Sequence, residues 1–379
     1  MPLGSARRAH HKSRTGCTTC KSKKVKCDEQ HPCSYCVKRK LSCSLAPPTL
    51  TPVASSGASR DSRTPEVGFR TDERPSFTFS DFGLYRHFSK STALAQADDS
   101  STIIVWREII TDLATQYPYL LHEILGIAAL HLRSAVPERA KQLERIAAEH
   151  QAQALPLFRE ALSSITPETA IPLFACSCLF IPYHFAAAKD ASSLLFNEDT
   201  GTLAEWIVLI QGCAAITMQY HEAIMRSSLR SLLGDLRTPK VEDLSNGPSD
   251  AMLVDLGSKL PIVPEKREAY AKTMVKLRVC FYLSDQADTP MDRKNAALRF
   301  PPLMEQTFRE DLEAKHPAAL IIMSFWCVLL YRVESRWWLA GRVKPLLSMI
   351  EELVPVDVRS LMVWPMEEVG IYSKTIRFS

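Results

Sequence analysis

Six of the chain's 11 cysteines lie between Cys17 and Cys43, and their order leaves little freedom in what this segment can become. It reads Cys17-Thr-Thr-Cys20, six residues, Cys27, five residues, Cys33-Ser-Tyr-Cys36, six residues, Cys43. Each half is a CxxC pair followed after six residues by a third cysteine. A CxxC pair lets two thiolates chelate one tetrahedral ion from a single turn. The opening residues, MPLGSARRAHHKSR, hold no apolar run of the kind a secretory leader needs. Without secretion, clustered cysteines read as metal ligands rather than disulfides. A redox CxxC is disfavoured, because such a site needs one pair in a βαβ context. Six thiolates cannot supply two tetrahedral ions with eight ligands unless two sulfurs are shared. A binuclear cluster of two Zn²⁺, with one shared thiolate from each half, meets that arithmetic and carries a charge of −2 that nearby lysines stabilise. So short a segment has almost no apolar core. Metal binding must supply its folding free energy, on the order of 10 kcal/mol or more.

Charge is distributed in the same lopsided way. The 379 residues carry a formal net charge of +4. Residues 1–45 hold 11 of the 46 Lys/Arg and two of the 42 acids, a net +9, whereas the other 334 residues hold 35 and 40, a net −5. A basic, cysteine-dense module therefore precedes a mildly acidic body. Lys21, Lys23, Lys24 and Lys26 fall between the second and third cysteines as KSKKVK, and Arg14, Lys38 and Arg39 surround the module. Lysine and arginine donate to guanine O6 and N7 in the major groove and neutralise phosphates. The basic arm and KSKKVK also suit nuclear import.

The six-cysteine spacing, the basic run, Asp28 after the third cysteine and Pro32 before the fourth together resemble the DNA-binding domain of the fungal binuclear-zinc-cluster transcription factors. The resemblance implies that Cys17, Cys20, Cys27, Cys33, Cys36 and Cys43 hold two Zn²⁺, with Cys17 and Cys33 bridging. It implies a first short helix in the major groove of double-stranded DNA, where Lys23 and Lys24 read a CGG-type triplet and Lys24 makes the principal base contact. Lys21 and Ser22 depart from the arginine and second basic residue that many members carry there, so the base preference stays open. Lys21, Lys26, Arg14, Lys38 and Arg39 are then phosphate contacts. The expected fold is a small zinc-cluster domain (15–45) after a basic arm (1–14), then a flexible Pro/Ser/Thr/Arg-rich linker (46–80), then a mainly α-helical regulatory domain (81–379). The expected role is regulation of RNA polymerase II genes in the nucleus, with the transcription machinery as partner. A zinc-dependent protein-interaction scaffold is the rival reading.

The body shows helical apolar spacing from Asp81 onward, for example Ile103, Trp106, Ile109, Ile110 and Leu113. A long helix should follow Pro137, kinked or split by Pro156, with further helices over 167–188, 202–226, 264–283, 317–340 and 343–354. The segment 234–262, with Pro239, Asn246-Gly247-Pro248 and Pro261, reads as loop. No strand series stands out. The uncharged stretch from Glu168 to Lys189 suits a buried helix rather than a membrane span, since it holds Pro172, Pro182, His184 and two cysteines.

LLHEILGIAALHL, HQAQALPLFREAL, GTLAEWIVLIQGCAAI, HPAALIIMSFWCVLLYRVESRWWLAG and Trp364-Pro365 resemble the regulatory region of these factors, and within them the sterol-uptake-control type. That implies a helical effector domain for an apolar small molecule such as a sterol. Similar bodies also serve regulators of secondary-metabolite pathways. Trp326, Trp337 and Trp338 with Ile321, Ile322, Met323 and Phe325 are either pocket lining or plain core. With no heptad run, the chain binds one triplet as a monomer or forms a homodimer through its body. Catalysis is not expected. His122-Glu123 and His221-Glu222 begin like H-E-x-x-H, but Gly126 and Met225 stand where the second histidine belongs. His131, His150 and His184 have no sequence neighbour at ligand spacing, Cys176 and Cys178 read as inert buried thiols, and no P-loop, GxGxxG or GxSxG occurs.

Overall fold

A computed structural model describes residues 15–45 apart from positions 31, 40 and 42, and residues 77–373 apart from 198 and 234–237. The basic arm with Arg14, and the linker through residue 76, lie outside the described residues. The chain divides into two compact units, Met1–Asp72 and Glu73–Ser379.

In the first unit, two five-residue helices, α1 (Thr18–Ser22) and α2 (Ser34–Lys38), each start immediately after a cysteine. Its buried centre is Cys17, Cys20, Cys27, Cys33 and Cys36, with Val25, Tyr35, Cys43 and Leu45 packed around them. Helices this short do not persist alone, and they are held here by what their cysteines meet.

The second unit is helical. Its helices of eight residues or more, among the described residues, are α3 (Phe79–His87), α4 (Pro118–Ala135), α5 (Ala140–Leu162), α6 (Pro167–Ala187), α7 (Glu205–Gln219), α8 (Asp250–Lys259), α9 (Arg267–Asp285), α10 (Pro290–Leu298), α11 (Gln306–Glu313), α12 (Pro317–Tyr331) and α13 (Val343–Leu353). Proline occupies the first turn of α4, α6, α10 and α12, where its missing N–H costs nothing. α4 packs along α5 and α6, and α7 packs along α6. α12 is apolar on every side, and all 13 residues from Ala318 to Leu330 are buried. It forms the centre of the C-terminal half, against α9, α10, α11 and α13. Among the described residues, α6 alone of the single helices is long and apolar enough to cross a membrane, but 78% of that window is buried inside the body. It is a core helix. The one pairing of extended backbone among the described residues is an isolated bridge, Phe196 to Leu203.

Several expected boundaries shift. α5 runs unbroken through Pro156, which leaves only the Ala152 carbonyl without its helical donor. The predicted 202–226 helix is interrupted at Tyr220, and the 317–340 helix stops at Tyr331, giving way to turns. The predicted 234–262 loop contains α8. Gly247, Pro248 and Pro261 flank that helix rather than interrupt it, and Leu253 and Leu256 supply its buried face. Arg278 of α9 fixes α8 through a two-pronged pair to Asp250, 2.6 and 2.9 Å long. Two wide i→i+5 turns, Phe88–Thr92 and Val105–Ile109, continue α3 and the Ser100–Ile104 helix and pack on each other. Wide turns of this kind often mark functional positions.

Candidate metal centre and nucleic-acid interface

The two halves of the cysteine module repeat each other in hydrogen bonding as well as in spacing. The Cys17 N–H points at Cys27 Sγ (3.3 Å), and its counterpart, the Cys33 N–H, points at Cys43 Sγ (3.4 Å). Each helix is capped by the residue after the other half's third cysteine. Thr18 N–H donates to Ser44 Oγ at 2.9 Å, and Ser34 N–H donates to the Asp28 carboxylate at 3.1 Å. Hydrogen bonds from Ser34 hold Asp28 below the usual carboxylate range. The two halves interlock through their caps.

The sulfurs converge. Cys17 Sγ lies 3.7 Å from Cys33 Sγ and 3.7 Å from Cys36 Sγ, and Cys20 Sγ lies 3.6 Å from Cys33 Sγ. A tetrahedral zinc with Zn–S bonds of about 2.3 Å places its sulfurs about 3.8 Å apart. The separations fit that edge, and the donor set fits zinc. One group of metal-capable sulfurs is Cys17, Cys20, Cys33 and Cys36, and a second joins Cys27 and Cys33 beside Asp28. Cys17 and Cys33 touch each other and stand at the centre, Cys17 reaching Cys36 and Cys27 and Cys33 reaching Cys20 and Cys43 through sulfur or backbone N–H. Among the described residues, metal-capable groups occur nowhere else.

Six sulfurs so close cannot all ionise by themselves. Burial, with hydrogen bonding to Cys17 and Cys33, pushes Cys20 far up, and burial pushes Cys36 up to about 12. The Cys33 N–H holds Cys43 down to about 7, and the Cys17 N–H lowers Cys27. A divalent cation resolves this conflict by favouring every thiolate at once.

Lys21, Lys23, Lys24 and Lys26 all stand exposed on and just after α1, and Lys38 and Arg39 are exposed at the end of α2. Val25 N–H returns to Cys20 O at 3.1 Å, which closes α1 and puts Lys24 in the left-handed region at φ 53°. Lys24 thus projects from the turn that ends α1, while Lys23 caps the helix. Sequence reasoning placed the basic run beside the cysteines, but the left-handed turn inside it was not legible.

The body parts Trp337 from Trp326 and Trp338, which share Phe185 as a neighbour. Trp326 is core, donating its indole N–H to Ala297 O at 2.8 Å, and Ile321, Ile322, Met323 and Phe325 are buried around it. Trp337 packs against His131. Trp338 lines a cavity of about 310 Å³ bounded by Phe174, Ile181, Ile210 and Leu298 on α6, α7 and α10. The histidines also find partners remote in sequence. His122 Nδ1 meets His150 Nδ1 at 3.0 Å, His150 Nε2 meets Asp81 Oδ1 at 3.4 Å, and His131 Nδ1 meets His87 Nε2 at 3.2 Å. His184 meets Ser193 O at 3.1 Å. Burial pushes Cys176 and Cys178 upward, as befits inert thiols.

Residues 15–52 match the fungal Zn(2)-Cys(6) binuclear cluster domain, and residues 84–235 match the fungal specific transcription factor domain. A Zn(2)-C6 fungal-type transcription factor of Gibberella zeae is 26% identical over 88% of this chain and 80% of its own length. The Zn(2)-C6 fungal-type transcription factor afumD of Aspergillus fumigatus is 26% identical over 83% of this chain and 84% of its own. Sterol uptake control protein 2 of Saccharomyces cerevisiae is 25% identical over 73% of this chain but only 30% of its own length. The cysteine module and residues 84–235 match the same group of regulators, and the converging sulfurs agree with them. The chain belongs to the fungal binuclear-zinc-cluster transcription factors, as a DNA-binding regulator and not an enzyme.

Proposed function

We propose that the module holds two Zn²⁺ through Cys17, Cys20, Cys27, Cys33, Cys36 and Cys43, with Cys17 and Cys33 shared between the ions. The observation that carries this reading is the central position of those two sulfurs: Cys17 Sγ meets Cys33 Sγ and Cys36 Sγ at 3.7 Å each, and Cys33 Sγ meets Cys20 Sγ at 3.6 Å. Bound zinc would fix the two helices and neutralise most of the thiolate charge. α1 then enters the major groove of a CGG-like triplet, with Lys23 and Lys24 at base edges and Lys21, Lys26, Lys38, Arg39 and Arg14 at phosphates. The exposure of the lysines around the end of α1 supports that docking. The protein acts in the nucleus on RNA polymerase II genes, recruits the transcription machinery, and binds as a monomer or as a homodimer through its body.

The experiment is a binding titration of the full chain on a CGG-containing duplex and on a scrambled duplex. Lys23→Ala with Lys24→Ala should lower affinity for the CGG duplex at least about tenfold and reduce the preference over the scrambled one. A double variant with unchanged preference defeats the base-reading role and favours a zinc-dependent interaction scaffold.

A second reading concerns the body. The cavity on α6, α7 and α10 favours small-molecule sensing, because 310 Å³ of largely apolar space falls in the range of ligand sites, roughly 300–1,000 Å³. The likeness to a sterol uptake control protein is compatible with a sterol as the effector. Regulation of a secondary-metabolite pathway without any ligand is the alternative.

A further inference from the structure

The cavity on α6, α7 and α10 has an apolar wall with a distinctive set of polar atoms. Gln96, Trp106 and Asn295 line it, and the Gln96 Nε2, Trp106 Nε1 and Asn295 Nδ2 donors are buried with no acceptor among the described residues. Gln96 and Trp106 are each only 4% exposed. The two wide turns bring them here. Gln96 closes the short helix after the first turn, and Trp106 sits inside the second. Buried N–H groups without acceptors are unfavourable, and three on one cavity call for an oxygen-rich occupant. The hydroxyls on the same wall donate to backbone, Ser177 Oγ to Phe174 O at 2.7 Å and Thr217 Oγ1 to Cys213 O at 3.0 Å, and neither oxygen accepts from these three donors.

The charges on this wall point the same way. Lys294 lines the cavity and pairs with Asp98, Nζ to Oδ2 2.8 Å, and Asp98 is also held by Arg336. Their side chains are 14%, 1% and 11% exposed, in the order Lys294, Asp98, Arg336. Two buried cations thus share one carboxylate. The neighbouring Asp99, which accepts the Thr102 N–H at 2.8 Å to cap the Ser100–Ile104 helix, also acts on Lys294 through its charge, but from an exposed position. Arg299, also on the wall, donates to Thr238 Oγ1 at 2.8 Å and adds a further cation. Burial pulls the Lys294 ammonium down to about 8, which an anion bound beside it would reverse.

We propose that this cavity binds a hydrophobic carboxylic acid. Its carboxylate accepts from Lys294 and from the side-chain amides of Gln96 and Asn295, and its hydrocarbon body rests on Phe174, Ile181 and Leu298. The assignment rests on the reading of the body as a small-molecule sensor, and names the class of molecule sensed. A neutral alcohol offers a single oxygen and no charge, and would leave most of these donors unmet.

The test uses the full-length zinc-loaded protein with decanoate and decanol, which share a chain length and differ in head group. Binding is followed by tryptophan fluorescence, since Trp106 and Trp338 line the cavity. Decanoate should bind at least about tenfold more tightly than decanol at neutral pH. Lys294→Gln should abolish that preference, and Lys294→Arg, which keeps the charge, should retain it. Circular dichroism of both variants checks that the body is intact. Equal affinity for the two probes, or an undiminished preference in a folded Lys294→Gln variant, overturns the proposal. If ergosterol binds and neither ten-carbon probe does, the acid is refuted and small-molecule sensing survives. If none of the three binds, both are refuted.

Discussion

Glu123 sits inside α4 with no exposed surface, and neither carboxyl oxygen has a hydrogen-bond partner among the described residues. Burial raises its pKa to about 8, so the carboxyl stays protonated in the folded body at neutral pH. The unfolded chain ionises it near the ordinary value of 4.5. The native state therefore holds more protons than the unfolded state between those values, and stability falls as pH rises through that window. The buried histidines act in the opposite sense. Burial lowers His122, His131 and His184 to about 4 each, so the unfolded state binds more protons below about 6.5, and stability falls as pH drops from there. Urea melts from pH 5 to 9 should therefore show losses on both sides of neutrality. Glu123→Gln should remove the Glu123 slope between about pH 4.5 and 8, adding on the order of 3 kcal/mol at pH 8. That change flattens the alkaline side and leaves the histidine losses on the acid side unopposed. An unchanged alkaline limb would place its origin elsewhere. Neither effect was legible in the chain, since His122-Glu123 resembled only a broken metalloprotease motif.

At the scale of elements, α4, α5 and α6 meet closely at Gly126. A methyl group built there would lie 3.1 Å from the Tyr183 ring, 3.5 Å from Ala147 O and 3.6 Å from His150 Cβ. The Tyr183 ring has little room to give way, because its hydroxyl donates to Ala147 O at 3.0 Å. Gly126→Val should cost about 2–3 kcal/mol by overpacking, measured as a shift in the urea midpoint with an unchanged slope. Gly126→Ala should cost less, because better helix propensity offsets part of the contact. A neutral valine variant would mean that the three helices separate easily. Most of these helices were legible from apolar spacing, though α10 and α11 fell between the expected ones. α8 was not, because its short apolar face lies between Gly247-Pro248 and Pro261, and punctuating residues outweigh a ten-residue pattern. The cavity was not legible either, since its wall draws on residues from Gln96 to Trp338 and only packing unites them.

For the whole molecule, the sequence's lopsided charge corresponds to two units stabilised by different means. The module has sulfur at its centre, whereas the body has one continuous apolar cluster from Leu84 to Val369. Zinc analysis of the full chain should give two ions per molecule, and one ion per molecule would eliminate a shared-thiolate cluster. Chelation should abolish DNA binding but preserve more than about nine-tenths of the helical circular dichroism, since the body's core contains no metal ligand among the described residues. A body that melts on chelation would contradict this division. The cysteine spacing made the convergence of the sulfurs legible, because ligand spacing is local. The body's function depends on long-range contacts that no local pattern encodes.

The burial of α6 has a consequence for how the chain is made. Phe185 on α6 is covered by Trp206, Trp326 and Trp338. The last of these leaves the ribosome roughly 150 residues later, about 8–30 s at ordinary rates of synthesis. For that interval the nascent chain displays a segment apolar enough to be taken for a membrane anchor. The helix that centres the finished N-terminal half therefore gains its last aromatic cover only when the C-terminal tryptophans arrive.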